Sequence, residues 1–498
     1  MSCLLNRFFA LATGVVLLVG TAGAVEVYPG PGLDKYKTNL YRVEVWNGGQ
    51  WLDSYTYKVA RKSVTNWHRN AVPSVNFTTF GTSGAVNVRI SKLAGKITSV
   101  EISPKSKKIA AMIIDGRATF TLKPYDKAWV TIDGDDANPL LVFADPPKPV
   151  APSGALYYGP GVHDIGLEKA PADGQTIYLD GGAWVIGTID LRKRQNVKIM
   201  GPGVLSGEFM TGEQLHTAKM THFMIFGDGS DSAPKNNRVE GITIVNSPSY
   251  NICHGPDYIG NVKLLSPWYW STDGFHMSPG RTSKLSVIEN CFAFVADDIF
   301  FPRYNYKGNI EIRNCFVSTP NNSVFNICYW GDTLKHDYTM YAHDIDIKNY
   351  LGGGTEAIFK ASIDGATNLG IKNMTFENIR VENDVFGRIL LIENRNYFWP
   401  DQSKRPETKL GNTYNLVFRN ITVTGTQGMK STLLGLDANN GHHDFLFENV
   451  TINGVTLDSS NYQKYFDINQ YSWNIRFAAG SPGQVNYKEP HRAEHPSP

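Results

Sequence analysis

The sequence is poor in cysteine for an exported chain, nearly neutral overall, and has no long apolar run beyond its first 25 residues. Five cysteines occur among 498 residues, and only Cys253, Cys291, Cys315 and Cys328 lie beyond the N-terminal apolar stretch. Four widely spaced cysteines do not make a disulfide framework, and their spacing does not fit a zinc site, so buried free thiols are expected and no metal or other cofactor is implied. The formal net charge is +2 and no dense basic run occurs, which gives no electrostatic footprint for nucleic acid. Charged residues make up 19% and hydrophobic ones 42%, which excludes a disordered chain and suits a large globular one.

The one apolar stretch opens the chain. Arg7 precedes an apolar segment from Phe8 to about Gly20, and Ala22-Gly23-Ala24 follows as a small-residue cleavage site. This reads as a secretory signal over residues 1–24, giving a secreted or periplasmic protein that is free of the membrane once the signal is removed. An uncleaved anchor is the alternative, but the segment is short for a span.

Glycine and aromatics are plentiful instead: 47 glycines, 24 tyrosines, 25 phenylalanines and 10 tryptophans. Between residues 25 and 145, short alternating runs such as "YRVEVW" and "AVNVRI" are separated by turn residues, as in a β-sandwich. "DPPKPVAPSG" (145–154) carries four prolines, so residues 146–154 form a stiff linker.

Beyond it the chain repeats. "VEGITIVNS", "LSVIENCFAF", "IEIRNCFVS", "IDIKNYLGG", "MTFENIRVEN", "LVFRNITVTG" and "FLFENVTING" share an apolar run, an asparagine and another apolar run. The asparagines are Asn246, Asn290, Asn314, Asn349, Asn378, Asn420 and Asn449, with a further copy near Ser266. Coils of this length with an asparagine at one corner predict an all-β chain with a right-handed parallel β-helix over residues 155–480, followed by a polar tail over 481–498.

The repeat gives meaning to the adjacent acids of "VADDIFFPR" (295–303). Counting seven residues on from successive corners gives Asp273, Asp297, Asn321 and Glu356, with Asp298 one step further. In register, these would stack on one face with neighbouring coils about 4.8 Å apart. Carboxylates so close cannot all ionise cheaply, so one keeps its proton and can serve as general acid beside an ionised general base. Glycosidic cleavage needs that pair. His276, Arg303, Tyr304, Trp330, Lys360 and Arg388 are candidates to line the substrate groove, together with Asn321 and Glu356.

"STDGFH" (271–276) followed by "ADDIFF" (296–301) resembles the paired motifs of pectin-lyase-like β-helix glycosidases: the polygalacturonases (glycoside hydrolase family 28) and the dextranase and isopullulanase group (family 49). The order of sandwich, proline-rich joint and β-helix is similar to the dextranase group. The resemblance runs over roughly residues 155–460 and is motif-specific over 271–303. It implies that Asp297 is the general acid, that Asp273 and Asp298 activate water, and that the anomeric configuration inverts. The following coil, "TPNNSVFNICYWG", lacks the histidine of polygalacturonases, which points away from galacturonate.

The expectation is therefore a secreted, endo-acting polysaccharide hydrolase for a glucan or an acidic or sulfated galactan. A polysaccharide lyase on the same fold, or a non-catalytic glycan-binding β-helix, remains an alternative at this level.

Overall fold

The computed structural model describes residues 23–60, 73–210, 223–227, 236–268, 271–277, 285–302, 308–328, 338–348, 354–363, 371–384, 388–394, 412–425 and 429–479. Of the groove candidates, Arg303, Tyr304 and Trp330 lie outside these residues, as do the side chains of Asn321 and Glu356. The N-terminal unit is a sandwich of a six-stranded and a five-stranded sheet. Its centre joins Val43, Val88, Ile90 and Phe120 of the smaller sheet to Val130, Leu140 and Val142 of the larger.

The larger sheet has a second apolar face. Strand Ser74–Thr82 is buried at every position. Successive side chains leave a strand on opposite sides, so a wholly buried strand must be covered on both. Phe77, Trp129, Leu141 and Phe143 form the outer cover, packed against Trp184, Val245, Leu265, Phe292 and Phe294 of the β-helix. Polar locks cross the same seam. The buried Lys263 ammonium lies 2.6 Å from Asp145, whose other oxygen accepts from Asn261 at 3.0 Å. Ser103 donates to Glu382 at 2.7 Å, and Ser106 to Asp346 at 2.8 Å. The proline-rich segment is therefore not a spacer between independent bodies, because the sandwich shares a core with the helix.

From Leu156–Tyr158 to Ser472–Ala478 the chain forms 29 strands among the described residues, paired in parallel from coil to coil apart from one short antiparallel return near residue 455. Alternating apolar residues fill the interior in stacked rows. Phe275, Phe300, Phe325 and Phe359 form one row, with ring centroids 5.6, 5.1 and 5.2 Å apart. Cys253, Cys291 and Cys315 are buried free thiols.

The asparagine ladder exists, with two changes of membership. Asn261, Asn290, Asn314, Asp344, Asn378, Asn420 and Asn449 occupy one corner, each with φ between 52° and 56°. That left-handed conformation is costly for most side chains but tolerated by asparagine and aspartate, which bond locally. Asn378 donates to Asp344 at 3.1 Å, Asn420 to Asn378 at 3.1 Å and Asn449 to Asn420 at 2.8 Å. Asn246 and Ser266 belong to a different column, since Val245 pairs with Leu265 and Ser266 pairs with Val295. Asn349 lies outside the described residues, and Asp344 holds the corner of its coil.

Candidate active site

The corner count places the acids one step out of register. Phe275 pairs with Phe300, and Phe300 with Phe325. Asp273 therefore lies beside Asp298 and Ser323, while Asp297 lies beside Thr272 and Asn322. Ser323 pairs with Ala357, Asn322 with Thr355 and Asn321 with Gly354. Glu356 falls in the one-residue irregularity between two of these pairs, not in the column with Asp297. The cause is the turn between corner and strand. Fourteen residues separate Asn261 from Phe275, ten separate Asn290 from Phe300, and eleven separate Asn314 from Phe325. A register counted from one corner is therefore lost before it reaches the next face.

The corrected register still joins the three aspartates. Gly274 makes this possible: a Cβ there would stand 2.6 Å from the Ile299 carbonyl oxygen, so only glycine lets these coils close behind Asp273. Ser271 turns the chain with φ 61° and aims its N–H at Asp297 Oδ2, 2.6 Å away. Asp297 Oδ1 accepts from the Asp298 N–H at 3.0 Å and from Asn322 Nδ2 at 2.5 Å. Asp298 Oδ1 accepts from the Ser323 N–H at 3.0 Å and from the Ser323 hydroxyl, and its Oδ2 accepts from Asn326 at 2.6 Å. Asp273 Oδ2 lies 2.7 Å from His276 Nε2.

Burial and mutual charge divide these acids. Burial first, and then the charge of Asp273, push the Asp297 carboxyl up from its ordinary 3.8 to about 7. Asp298 is also raised, by burial and by Asp297, but the Lys360 ammonium and its hydrogen-bond donors pull it back. Asp297 is thus a carboxyl that holds a proton near neutrality. Both acids accept three donors, but the Lys360 ammonium acts on Asp298 and makes it the more readily ionised of the two.

His276 and Lys360 need correction as substrate ligands. His276 is 0% exposed, wedged between Tyr250 at 4.1 Å and Phe301 at 4.6 Å, so it meets Asp273 from behind and cannot touch a glycan. Lys360 is 2% exposed and donates to Asn322 Oδ1 at 2.9 Å, holding the amide that in turn holds Asp297. Arg388 is partly exposed, with its guanidinium 3.3 Å from Met429 Sδ, and it follows Ala357 in the column of Asp273 and Asp298. Asn322, expected one copy on from Asp298, instead holds Asp297, and Ser323, Asn326 and Ser271 were missed as partners. The signal for Ser323 was available, since it stands 25 residues after Asp298, the interval that separates Asp273 from Asp298.

No family model matches the chain. Its sequence is 25% identical over 263 residues to a dextranase of Arthrobacter globiformis and 27% identical over 263 residues to a dextranase of Arthrobacter sp. strain CB-8. Each alignment covers 46% of this chain and 40% of the relative, so the chain spans less than half the length of the curated proteins it matches. Dex49A from Penicillium minioluteum shares the fold, with a TM-score of 0.68 at 16% identity over 92% of this chain and 100% of that one. The chain thus folds as a parallel β-helix behind a β-sandwich, similar in sequence to dextranases and in fold to Dex49A.

Proposed function

We propose that the protein is a glycoside hydrolase that cleaves a polysaccharide by inverting acid–base catalysis, with an α-glucan of the dextran type as the first substrate to test. The observation that carries this reading is the buried aspartate group, in which Asp297 retains a proton beside Asp273 and an Asp298 that the Lys360 ammonium favours as carboxylate. The Asp297 proton passes to the glycosidic oxygen as its bond to the anomeric carbon breaks. A water held by Asp273 and Asp298 attacks that carbon from the opposite side and gives a proton to one of them. Solvent exchange restores Asp297. His276 holds the Asp273 carboxylate, and Asn322 with Lys360 holds Asp297.

The relatives' name favours a glucan. Of the cationic candidates for an anionic glycan, Lys360 is buried on Asn322 and Arg388 alone among the described residues remains for the groove. A lyase is disfavoured because the N–H and O–H groups aimed at Asp297 and Asp298 would meet a bridging calcium ion with like polarity. We expect secretion and an endo mode of cleavage, the latter tested by product lengths early in digestion. The deciding experiment is reducing-sugar release from dextran, pullulan, polygalacturonate and red-algal galactans, by the protein and its Asp297→Asn variant. Release from dextran that the variant lowers by at least about 10²-fold supports the reading. Equal release by the two proteins rejects it.

A further inference from the structure

The column that carries Asp273 and Asp298 continues past them in both directions, and its two ends differ in chemistry. Ile225 pairs with Ile252, and Ile252 with Phe275. Two places back along each coil, Phe223 lies beside Tyr250 and Tyr250 beside Asp273. Backbone bonds join these coils, from the Met224 N–H to the Tyr250 carbonyl at 3.2 Å and from the Asn251 N–H to the Asp273 carbonyl at 2.9 Å. At about 4.8 Å per coil, Tyr250 stands one step from Asp273 and Phe223 two. In the other direction the column runs through Ser323, Ala357 and Arg388 to Met429. A polysaccharide cut at the acids has to extend beyond them along this face.

The end before Asp273 is aromatic. The rings of Phe223 and Tyr250 are nearly parallel, 10° apart in plane and 5.0 Å apart at their centroids. Phe226 meets Phe223 edge-on at 4.8 Å, and His254 lies 6.0 Å from Phe226. All four rings are half-buried, so the cluster keeps apolar surface in water beside the acids. A half-exposed row also occurs at Tyr414, His443 and Trp473, but in another column of the helix. The row of Phe223 and Tyr250 differs in its place: it abuts Asp273, and Tyr250 also packs on the His276 that holds Asp273.

The surroundings select the chemical class. The C–H face of a pyranose gains by leaving water against aromatic carbon. A uronate or sulfate here would approach the carboxylates of Asp273 and Asp298. Arg192, the cation packed on Phe226 at 4.5 Å, is already held by Asp190 at 2.9 Å and Glu168 at 3.0 Å. We infer that Phe223, continued by Tyr250, is the apolar wall of a substrate subsite that takes a neutral sugar unit on the N-terminal side of the acids. This rests on the hydrolase reading and adds to it the residues that hold the chain and the sugar class they accept.

The test uses the full chain with Phe223→Ala, Phe223→Tyr and, as a control, Trp473→Ala, whose ring is 43% exposed in the other row. Tyr250 is left intact because its loss would also release His276. KM and kcat are read on isomaltohexaose, and binding as retardation in gels containing dextran, pullulan or polygalacturonate. The expected result is that Phe223→Ala raises KM and weakens retention on a neutral glucan by about tenfold, the scale of truncating an aromatic anchor, with kcat within about twofold of the parent. Phe223→Tyr, which keeps the ring, and Trp473→Ala should match the parent. KM and retention of Phe223→Ala equal to the parent overturn the subsite, and so does a loss confined to polygalacturonate. A fall in kcat at unchanged KM also overturns it, because Phe223 would then only support Tyr250 and His276. If the parent cuts dextran and Phe223→Ala is silent, the subsite alone fails. If the parent cuts no glycan but only Phe223→Ala loses retention, the hydrolase reading fails and the binding wall stands. A parent that neither cuts nor is retained defeats both.

Discussion

Replacing Asp297 by asparagine should destroy activity and yet stabilise the protein above neutral pH. Burial and the Asp273 charge raise the carboxyl from 3.8 to about 7, so the folded state prefers the protonated form. A raised carboxyl favours folding fully below its unfolded value, and that contribution is lost as pH rises through the folded one. From about pH 4 to about pH 7 the folded protein holds one proton more than the unfolded chain, so stability declines across that window. At about 1.4 kcal/mol per pH unit, the decline attributable to Asp297 is on the order of 4 kcal/mol. Asparagine removes the dependence but brings a cost. Its oxygen can still accept from Asp298 and Asn322, while its NH₂ meets the Ser271 N–H that Oδ2 accepted at 2.6 Å. Two opposed donors in a buried site cost about 1–3 kcal/mol. The variant should therefore be more stable than the parent by about 1–3 kcal/mol above pH 7, and less stable below about pH 4. Thermal or urea unfolding of both proteins from pH 4 to pH 8 provides the measurement. Parallel stability curves would refute the buried, raised carboxyl.

Three further expectations follow from the same geometry. The alkaline limb of kcat/KM should fall near pH 7, as Asp297 loses its proton, and Asp273→Asn should move what activity remains to lower pH; a parent limb unchanged to pH 9 would count against Asp297 as the acid. His276→Phe should lower kcat about 10–100-fold with little change in KM, because His276 holds Asp273 and is shielded from substrate; a rise in KM alone would make it a binding residue. Asn378→Ala should destabilise the helix by about 1–3 kcal/mol in urea unfolding, since it breaks the ladder bonds to Asp344 and Asn420 at a position with φ 56°; a neutral result would deny the ladder a structural role.

The sequence showed the solenoid because each coil must bury the same apolar row, and it showed the acids because two charges in an apolar run need a site. It hid the register, because the stretch from Asn261 to Phe275 is longer than its successors and the lettered repeat does not record how far a turn travels. It also hid the role of His276. A histidine three residues from an aspartate reads the same whether it faces solvent or lies between Tyr250 and Phe301. The docking of the sandwich was equally obscure. Alternation in "SVNFTTFGT" suggests one apolar face, and only the packing of Phe77, Trp129 and Phe143 on the helix reveals two.

The most direct measurement of the proposed chemistry is proton NMR of the first sugar anomer released from dextran, recorded before mutarotation. Water activated by Asp273 and Asp298 while Asp297 protonates the leaving oxygen predicts that the α-linked substrate yields the β anomer first. An α anomer appearing first would contradict that assignment of roles.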